Sequence, residues 1–253
     1  MDLSHLLYSA YERRLVADMS PQNLPRHIGV MLDGNRRWAR EKGADTAEGH
    51  RAGAENIEPF LTWTEDLGID IVTLWLLSTD NLNRPQAELA PLLEIIEDVV
   101  EQLAASQRWR VNLVGAVDLL PERTAQRLIA AAATTDHIDG VVVNIAVGYG
   151  GRQEIADAVR GMLLEAAAQG KTLEEVAEHV RIEDIAAHLY TRGQPDPDLV
   201  IRTSGEQRIG GFLLWQSTHS EFYFCEAFWP DFRRVDFLRA LRAYAERDRR
   251  FGS

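Results

Sequence analysis

The sequence predicts an α/β sandwich of one domain, with a central, mostly parallel sheet flanked by helices. Three observations carry this expectation. Short apolar runs rich in β-branched residues recur along the chain, helical three-and-four patterns lie between them, and 253 residues is a common length for one α/β domain. A strand covered on both faces is apolar at every position rather than at alternate ones, and strands that alternate with helices connect through right-handed crossovers.

Taken in order, Leu6, Leu7, Tyr11 and Leu15 stand at near-helical spacing before Pro21 and Pro25. They predict a leading helix and linker over 1–25, with the main domain over 26–253. The runs His27–Leu32, Ile71–Leu77, Val111–Val114, Val141–Val147 and Leu199–Ile201 are the expected strands. Leu89, Leu92, Leu93, Ile96, Val99, Val100 and Leu103 mark one amphipathic helix, and Phe237, Leu238, Leu241, Tyr244 and Ala245 another. Ala166–Leu189, rich in alanine and glutamate, predicts one or two surface helices, and Thr191–Asp198, with Gly193, Pro195 and Pro197, a loop. No repeat or low-complexity tract interrupts the pattern.

With 27 basic against 39 acidic residues the formal charge is −12, which argues against nucleic acid as a partner. Only Lys42 and Lys171 are lysines, so nearly every cation is a guanidinium, the better fork for phosphate oxygens. A single cysteine, Cys225, allows neither an internal disulfide nor a thiolate cluster and points to the reducing cytoplasm. The start Met-Asp-Leu-Ser-His lacks a secretory pattern, and no uncharged apolar stretch approaches the roughly 18 residues that span a bilayer. Membrane contact is at most peripheral.

Chemistry-bearing residues cluster after the expected strands. Asp33-Gly34-Asn35-Arg36-Arg37-Trp38 follows the first, where a strand–Gly–helix turn offers free N–H groups to a phosphate and a carboxylate suits Mg²⁺ held together with diphosphate oxygens. An Asx-turn opening a solvated helix fits the same residues. Ser78-Thr79-Asp80-Asn81-Leu82-Asn83-Arg84 follows the second run and shares its rim, or is an ordinary loop capped by Asp80 or Asn83. After the Leu199–Ile201 run, Arg202 and Arg208 stand six residues apart, with Asp198 and Glu206 as candidate holders of their guanidinium planes, or as a surface salt-bridge cluster. His50 sits at an expected helix start, and Phe212–Gln216 with Phe222–Phe224 reads as aromatic packing around Glu221. Motifs for nucleotide hydrolysis, dinucleotide redox, serine hydrolysis, zinc proteolysis and paired-aspartate diphosphate sites are missing.

In this order the segments HIGVMLDGNRRWA, GHRAGA, LSTDNLNRP, NIAVGYGGRQEI, DLVIRTSGEQRIGGFLLWQ, SEFYF and RRFG resemble the cis-prenyltransferases, the undecaprenyl diphosphate synthase family, from about His27 to the C-terminus. The resemblance implies that family's α/β fold over 26–253, a homodimer, and Mg²⁺-dependent condensation of isopentenyl diphosphate with an allylic diphosphate to form a Z double bond. Asp33 resembles the aspartate that handles Mg²⁺ and assists departure of the allylic diphosphate, with Glu221 joining it at the metal from across the dimer. Gly34, Asn35, Arg36, Arg37 and His50 resemble the shell around that diphosphate, to which Trp38, Ser78, Thr79, Asp80, Leu82 and Arg84 add the neighbouring substrate-binding positions. Arg202 and Arg208, with Ile209 and Gly210, resemble the grip on isopentenyl diphosphate. Asn81 matches the asparagine offered as proton acceptor, for which the departing diphosphate is an equal candidate. Arg250 and Gly252 match a tail that reaches the partner's site.

Thr46 stands where the family commonly has an arginine that touches phosphate, the Ser-Ser-Glu-Asn-Trp element reads Ser78-Thr79-Asp80-Asn81-Leu82, and Gly148 replaces an asparagine. Leu76 occupies a position that is small in long-chain members. A leucine there fills tail space and predicts early release of a Z,E-farnesyl-sized product from geranyl diphosphate, as in the actinobacterial short-chain Z-farnesyl diphosphate synthases that this chain resembles in VGYGGR and SGEQR. A longer-chain synthase with tail space along Leu89–Leu103 and a noncatalytic prenyltransferase subunit are the alternatives.

Overall fold

In the computed structural model, which describes residues 11–17 and 19–247, the five apolar runs become five strands of one six-stranded sheet. These are β1 (His27–Met31), β2 (Ile71–Ser78), β3 (Arg110–Val114), β4 (Val142–Tyr149) and β5 (Leu199–Arg202), joined by β6 (Glu221–Phe224). Their spatial order is β3-β4-β2-β1-β5-β6, and every pairing among the described residues is parallel. All strand C-termini therefore open on one rim.

Around the sheet stand α1 (described over 11–17), α2 (Asn35–Lys42), α3 (Thr46–Glu55), α4 (Ile57–Asp66), α5 (Gln86–Ser106), α6 (Glu122–Ala133), α7 (Gly151–Ala168), α8 (Leu173–His179), α9 (Ile182–Ala186) and α10 (Arg234–Ala245). The expected long helix is α5, the terminal one α10, and the alanine-rich segment resolves into the end of α7 followed by two short surface helices. Leu6, Leu7, Arg250 and Gly252 lie outside the described residues.

Strand alternation divides the core into two layers. Ile28, Val30, Val72, Leu74, Val143, Ile145, Leu199 and Ile201 face the larger one, which includes α5 and α10, while Met31, Ala146, Tyr149 and Val200 face a smaller one with Phe212 and Leu213. The alternation breaks twice. β2 pairs Trp75 with Ala146 and then Leu77 with Val147, so Leu76 is the extra residue of a bulge, and Ser78 then pairs with Tyr149, which leaves Gly148 the extra residue on β4. Leu76 and Leu77 consequently both pack on the larger layer, while Trp75 packs on the smaller.

The strand missing from the sequence reading is β6. It is a four-residue edge strand whose side chains are partly buried or exposed, and its short aromatic run Phe222–Phe224 beside Glu221 reads equally well as packing.

Candidate active site

The rim holds a cavity of about 610 Å³ that gathers three segments distant in sequence. Asp33–Arg37 come from the β1–α2 turn, Trp75–Ser78, Asp80, Asn81 and Arg84 from the end of β2 and its loop, and Arg202, Glu206, Arg208 and Gly210 from the loop after β5. His50 of α3 and Leu92 of α5 close it on one side. Because β2, β1 and β5 are adjacent, the loops following them converge here, the usual ligand position of an open parallel sheet.

At the centre, Asp33 faces Arg202. Met31 is in register with Arg202, and the Asp33 Oδ2 accepts from Arg202 Nε at 2.8 Å and lies 2.8 Å from its Nη2 in an ion pair. Arg202 is buried, and its third nitrogen donates to the carbonyl of Arg208, which ties the two arginines together. Thr203 fixes Asp33 from behind: its hydroxyl accepts from the Asp33 N–H at 2.9 Å and donates to the Asp33 carbonyl at 2.8 Å. Glu206 pairs with Arg208 and with Arg37 at 3.3 Å. Asp198 has a different role from the expected one. Its carboxylate accepts the N–H groups of Arg26 (2.7 Å) and His27 (3.1 Å) at the start of β1, because it precedes β5 and so stands at the opposite end of the sheet from Arg202.

Gly34 caps α2 with φ of 106°, and an added Cβ would lie 2.7 Å from the Phe228 ring and 3.0 Å from Ser204. Only glycine fits there. The turn aims the first N–H groups of α2 at the cavity, an arrangement favourable to an anion. Arg37 reaches Ser204 Oγ at 2.6 Å and lies over the Phe228 ring, while Arg36 and Arg84 both approach Glu88 Oε1, at 3.3 and 3.1 Å. Sequence reasoning missed Glu88, Thr203 and Ser204. Thr203 and Ser204 directly follow a recognised strand, which is the signal that would have found them.

His50 is not at a helix start. α3 begins at Thr46, capped by the Asp45 carboxylate on the Glu48 N–H, so the imidazole sits in the helix's second turn. Burial first, and then the Arg84 charge, push its pKa down from 6.5 to about 4, with Glu88 opposing and Arg36 reinforcing the shift. Between those values the unfolded chain takes up a proton that the folded chain refuses, so stability is full above pH 6.5 and falls as the pH drops toward 4. The expected loss between neutral pH and about pH 4.5 is ~2–3 kcal/mol from this residue. Urea midpoints of the unsubstituted chain and His50→Gln at the two pH values check it. Equal pH slopes would refute it.

Four buried polar atoms of cavity-lining residues lack hydrogen-bond partners: Asn35 Oδ1, His50 Nε2, Trp75 Nε1 and Arg84 Nη1. Such orphans are costly without a ligand or solvent to serve them. Arg84 lies near Glu88 without an aligned hydrogen bond. The lining carboxylates are Asp33, Asp80 and Glu206, and among the described residues no group of three metal-ligating side chains forms a ready-made cage. The donor set thus fits a cation that arrives with phosphate oxygens, as Mg²⁺ does.

Other expected site residues stand around this cavity rather than in its wall. Thr79 donates its N–H to the Tyr149 carbonyl, Leu82 packs on the larger core layer, Trp38 lies under the Lys42 ammonium, Thr46 opens α3 and Ile209 is exposed. Glu221 begins β6, in register with Leu199 at the far end of β5 from Arg202, and pairs with Arg247. Within one chain it does not meet Asp33.

Beyond Leu76 the cavity wall turns apolar. Leu76, with Leu32, Asn35, His50 and Leu92, lines both the polar chamber and a neighbouring pocket of only about 40 Å³, whose remaining wall is mostly apolar, from Ile57, Ile95, Ile96, Val99 and Trp229. Charge surrounds one end of the site, and a mostly apolar wall with little free space stands at the other.

A family model described as undecaprenyl diphosphate synthase matches residues 31–252. The chain is 65% identical over 247 residues to the (2Z,6E)-farnesyl diphosphate synthase of Thermobifida fusca, covering 97% of both proteins. It is 54% identical over 254 aligned positions to the short-chain Z-isoprenyl diphosphate synthase of Mycobacterium bovis, covering 99% of this chain and 97% of that protein. Among solved structures, lavandulyl diphosphate synthase from Lavandula x intermedia, in complex with dimethylallyl diphosphate, superposes with a TM-score of 0.84 at 33% identity. That match covers 92% of this chain and all of the other.

Proposed function

The chain belongs to the undecaprenyl diphosphate synthase family of prenyltransferases, and from that premise we propose that it adds isopentenyl diphosphate once to geranyl diphosphate and releases a Z,E-farnesyl-sized diphosphate. The observation that carries this reading is the shape of the site: a guanidinium-lined chamber roomy enough for two diphosphates, closed beyond Leu76 by a pocket of about 40 Å³.

The allylic diphosphate lies at the α2 N-terminus, held by the N–H groups after Gly34, by Asn35, Arg36, Arg37 and Arg84, and by the unpaired nitrogen of His50. Arg202, Arg208 and Gly210 hold the second diphosphate. Asp33, with phosphate oxygens, and Glu221 of a second copy would hold Mg²⁺, which when bound would neutralise the negative charge that builds on the leaving diphosphate. The fixed guanidiniums add to that stabilisation without having to reorganise. The primer's C–O bond breaks, its terminal carbon bonds to the double bond held beside it, and loss of a proton completes the new alkene. Ser78 Oγ accepts the Asn81 N–H at 3.1 Å and holds that residue beside the cavity, but an amide is a weak base, and the departing diphosphate takes the proton more readily.

The position of Glu221 away from Asp33 within one chain supports a homodimer in which each subunit completes the other's site. The catalytic domain in this reading is 26–253, preceded by the segment 1–25. No helix among the described residues is long and apolar enough to cross a membrane. A free, buried Cys225 suits the cytoplasm.

The test is turnover of labelled isopentenyl diphosphate with Mg²⁺ and either geranyl or farnesyl diphosphate, followed by sizing and double-bond geometry of the products. A single Z addition to geranyl diphosphate is expected. A ladder of long products overturns the short-chain reading, and no turnover with either primer overturns the synthase reading.

A further inference from the structure

Directly after Arg202 and Thr203 the loop from β5 bends through two residues in the left-handed region, Ser204 at φ of 75° and Gly205 at 71°. Glycine adopts that shape freely. A serine, which has a Cβ, is held there against its backbone preference, and such a conformation persists only where the surroundings fix it. Backbone bonds do so here: the Ser204 N–H donates to the Ala227 carbonyl at 2.8 Å and the Gly205 N–H to the Cys225 carbonyl at 2.9 Å.

Two successive hydroxyls of this bend end on the segment that opens α2. Thr203 holds the backbone of Asp33, and Ser204 Oγ accepts from Arg37 Nη2 at 2.6 Å. In extended backbone neighbouring side chains point to opposite faces, so the left-handed turn is what lets the second hydroxyl follow the first. Ser204 is buried, and its Cβ would stand 3.0 Å from a Cβ added at Gly34, directly against the cap of α2. Arg37 has two further neighbours, the Glu206 carboxylate at 3.3 Å and the Phe228 ring at 5.5 Å. The carboxylate competes with a diphosphate for the guanidinium's charge. A neutral hydroxyl orients the same group and leaves that charge for the ligand, and a bond donated by a cation is stronger than one between neutral groups.

We propose that Ser204 is a positioning residue for the first substrate: from the loop that grips isopentenyl diphosphate it reaches across to set the Arg37 guanidinium, and so governs the affinity for the allylic diphosphate. This inference rests on the assignment of the two diphosphate sites above. Its sequence neighbours Arg202 and Arg208 belong to one substrate's grip, while its hydroxyl serves the other's. The strained serine, in a turn whose next residue is glycine, is kept for that hydroxyl.

The experiment compares Ser204→Gly, Ser204→Ala, Arg37→Met and the double variant Ser204→Gly/Arg37→Met with the unsubstituted chain. Titration calorimetry with geranyl diphosphate alone gives its Kd, steady-state rates give the KM for isopentenyl diphosphate, and a thermal melt gives Tm. Ser204→Gly and Ser204→Ala are both expected to weaken geranyl diphosphate binding about three- to tenfold, with the KM for isopentenyl diphosphate changed by less than about twofold. Ser204→Gly gives up the left-handed strain along with the hydroxyl, so its Tm is expected to equal or exceed that of Ser204→Ala. A purely structural role would make binding follow stability, with Ser204→Gly the less affected of the two. Beside Arg37→Met, Ser204→Gly is expected to change the Kd by less than about twofold, because the hydroxyl has lost the group it acts through. Should one single variant fail to fold, the other carries the same comparison. An unchanged Kd, an equal effect on both substrates, or a full effect of Ser204→Gly persisting beside Arg37→Met overturns the proposal. Absence of turnover by the unsubstituted chain overturns instead the synthase reading beneath it.

Discussion

Replacing Asp33 by asparagine is expected to lower kcat by about a thousandfold, some 4 kcal/mol of transition-state stabilisation, while the fold survives. The substitution keeps size and shape and removes one charge. That charge has two duties in the proposed reaction: it is the cavity carboxylate placed between the two diphosphate grips, and it is the partner of both Arg202 Nε and Nη2. The backbone of Asp33 remains fixed by the Thr203 hydroxyl, and its side chain is 40% exposed, so Tm should move by only a few degrees. Arg202 keeps its bond to the Arg208 carbonyl, so the KM for isopentenyl diphosphate should change far less than kcat. Steady-state rates with Mg²⁺, set beside a thermal melt, check both halves. A kcat within about tenfold of the unsubstituted chain would remove Asp33 from the chemistry, leaving it the role of a turn residue.

How much of this was legible in the sequence depends on whether a feature is local. The strands buried on both faces announce themselves as continuous apolar runs, and His27–Leu32 and Ile71–Leu77 became β1 and β2 almost without adjustment. The partnership of Asp33 with Arg202 is not local. It spans 169 positions and exists because β5 lies beside β1 with Met31 opposite Arg202. Composition could nominate Asp198 as the holder of that arginine, but only the sheet order shows that Asp198 stands at the wrong end of the strand. His50 was misplaced because Asp45, a good helix cap, precedes it by five residues in a stretch with no apolar stripe to show where the helix begins. Glu88 carries no signal of its own and gains meaning only when α5 brings it against Arg36 and Arg84. The bulge at Leu76 is equally silent, since an apolar run reads the same with one extra residue in it.

That bulge makes Leu76 the residue from which product length can be predicted. In a regular strand, Leu76 and Leu77 would face opposite layers. Here both face the larger core, which brings Leu76 to the junction between the diphosphate chamber and the small apolar pocket under α5. Leu76→Ala removes three carbon atoms from that junction and merges the pocket of about 40 Å³ with the chamber. Leu76 is partly exposed, so the stability lost should lie at or below the low end of the about 2–5 kcal/mol typical of leucine-to-alanine changes in cores, and the protein should remain folded. The next obstacles are Leu92, Ile96 and Val99, side chains of one long helix that pack on the core and leave little further room. The expected product from geranyl diphosphate is therefore longer by one or two isoprene units, not a polymer of bacterial-carrier length. Chromatographic sizing of labelled products from both proteins decides it. If Leu76→Ala still released only the farnesyl-sized diphosphate, chain length would have to be set elsewhere, by how fast the product leaves the arginine grip rather than by the wall its tail meets.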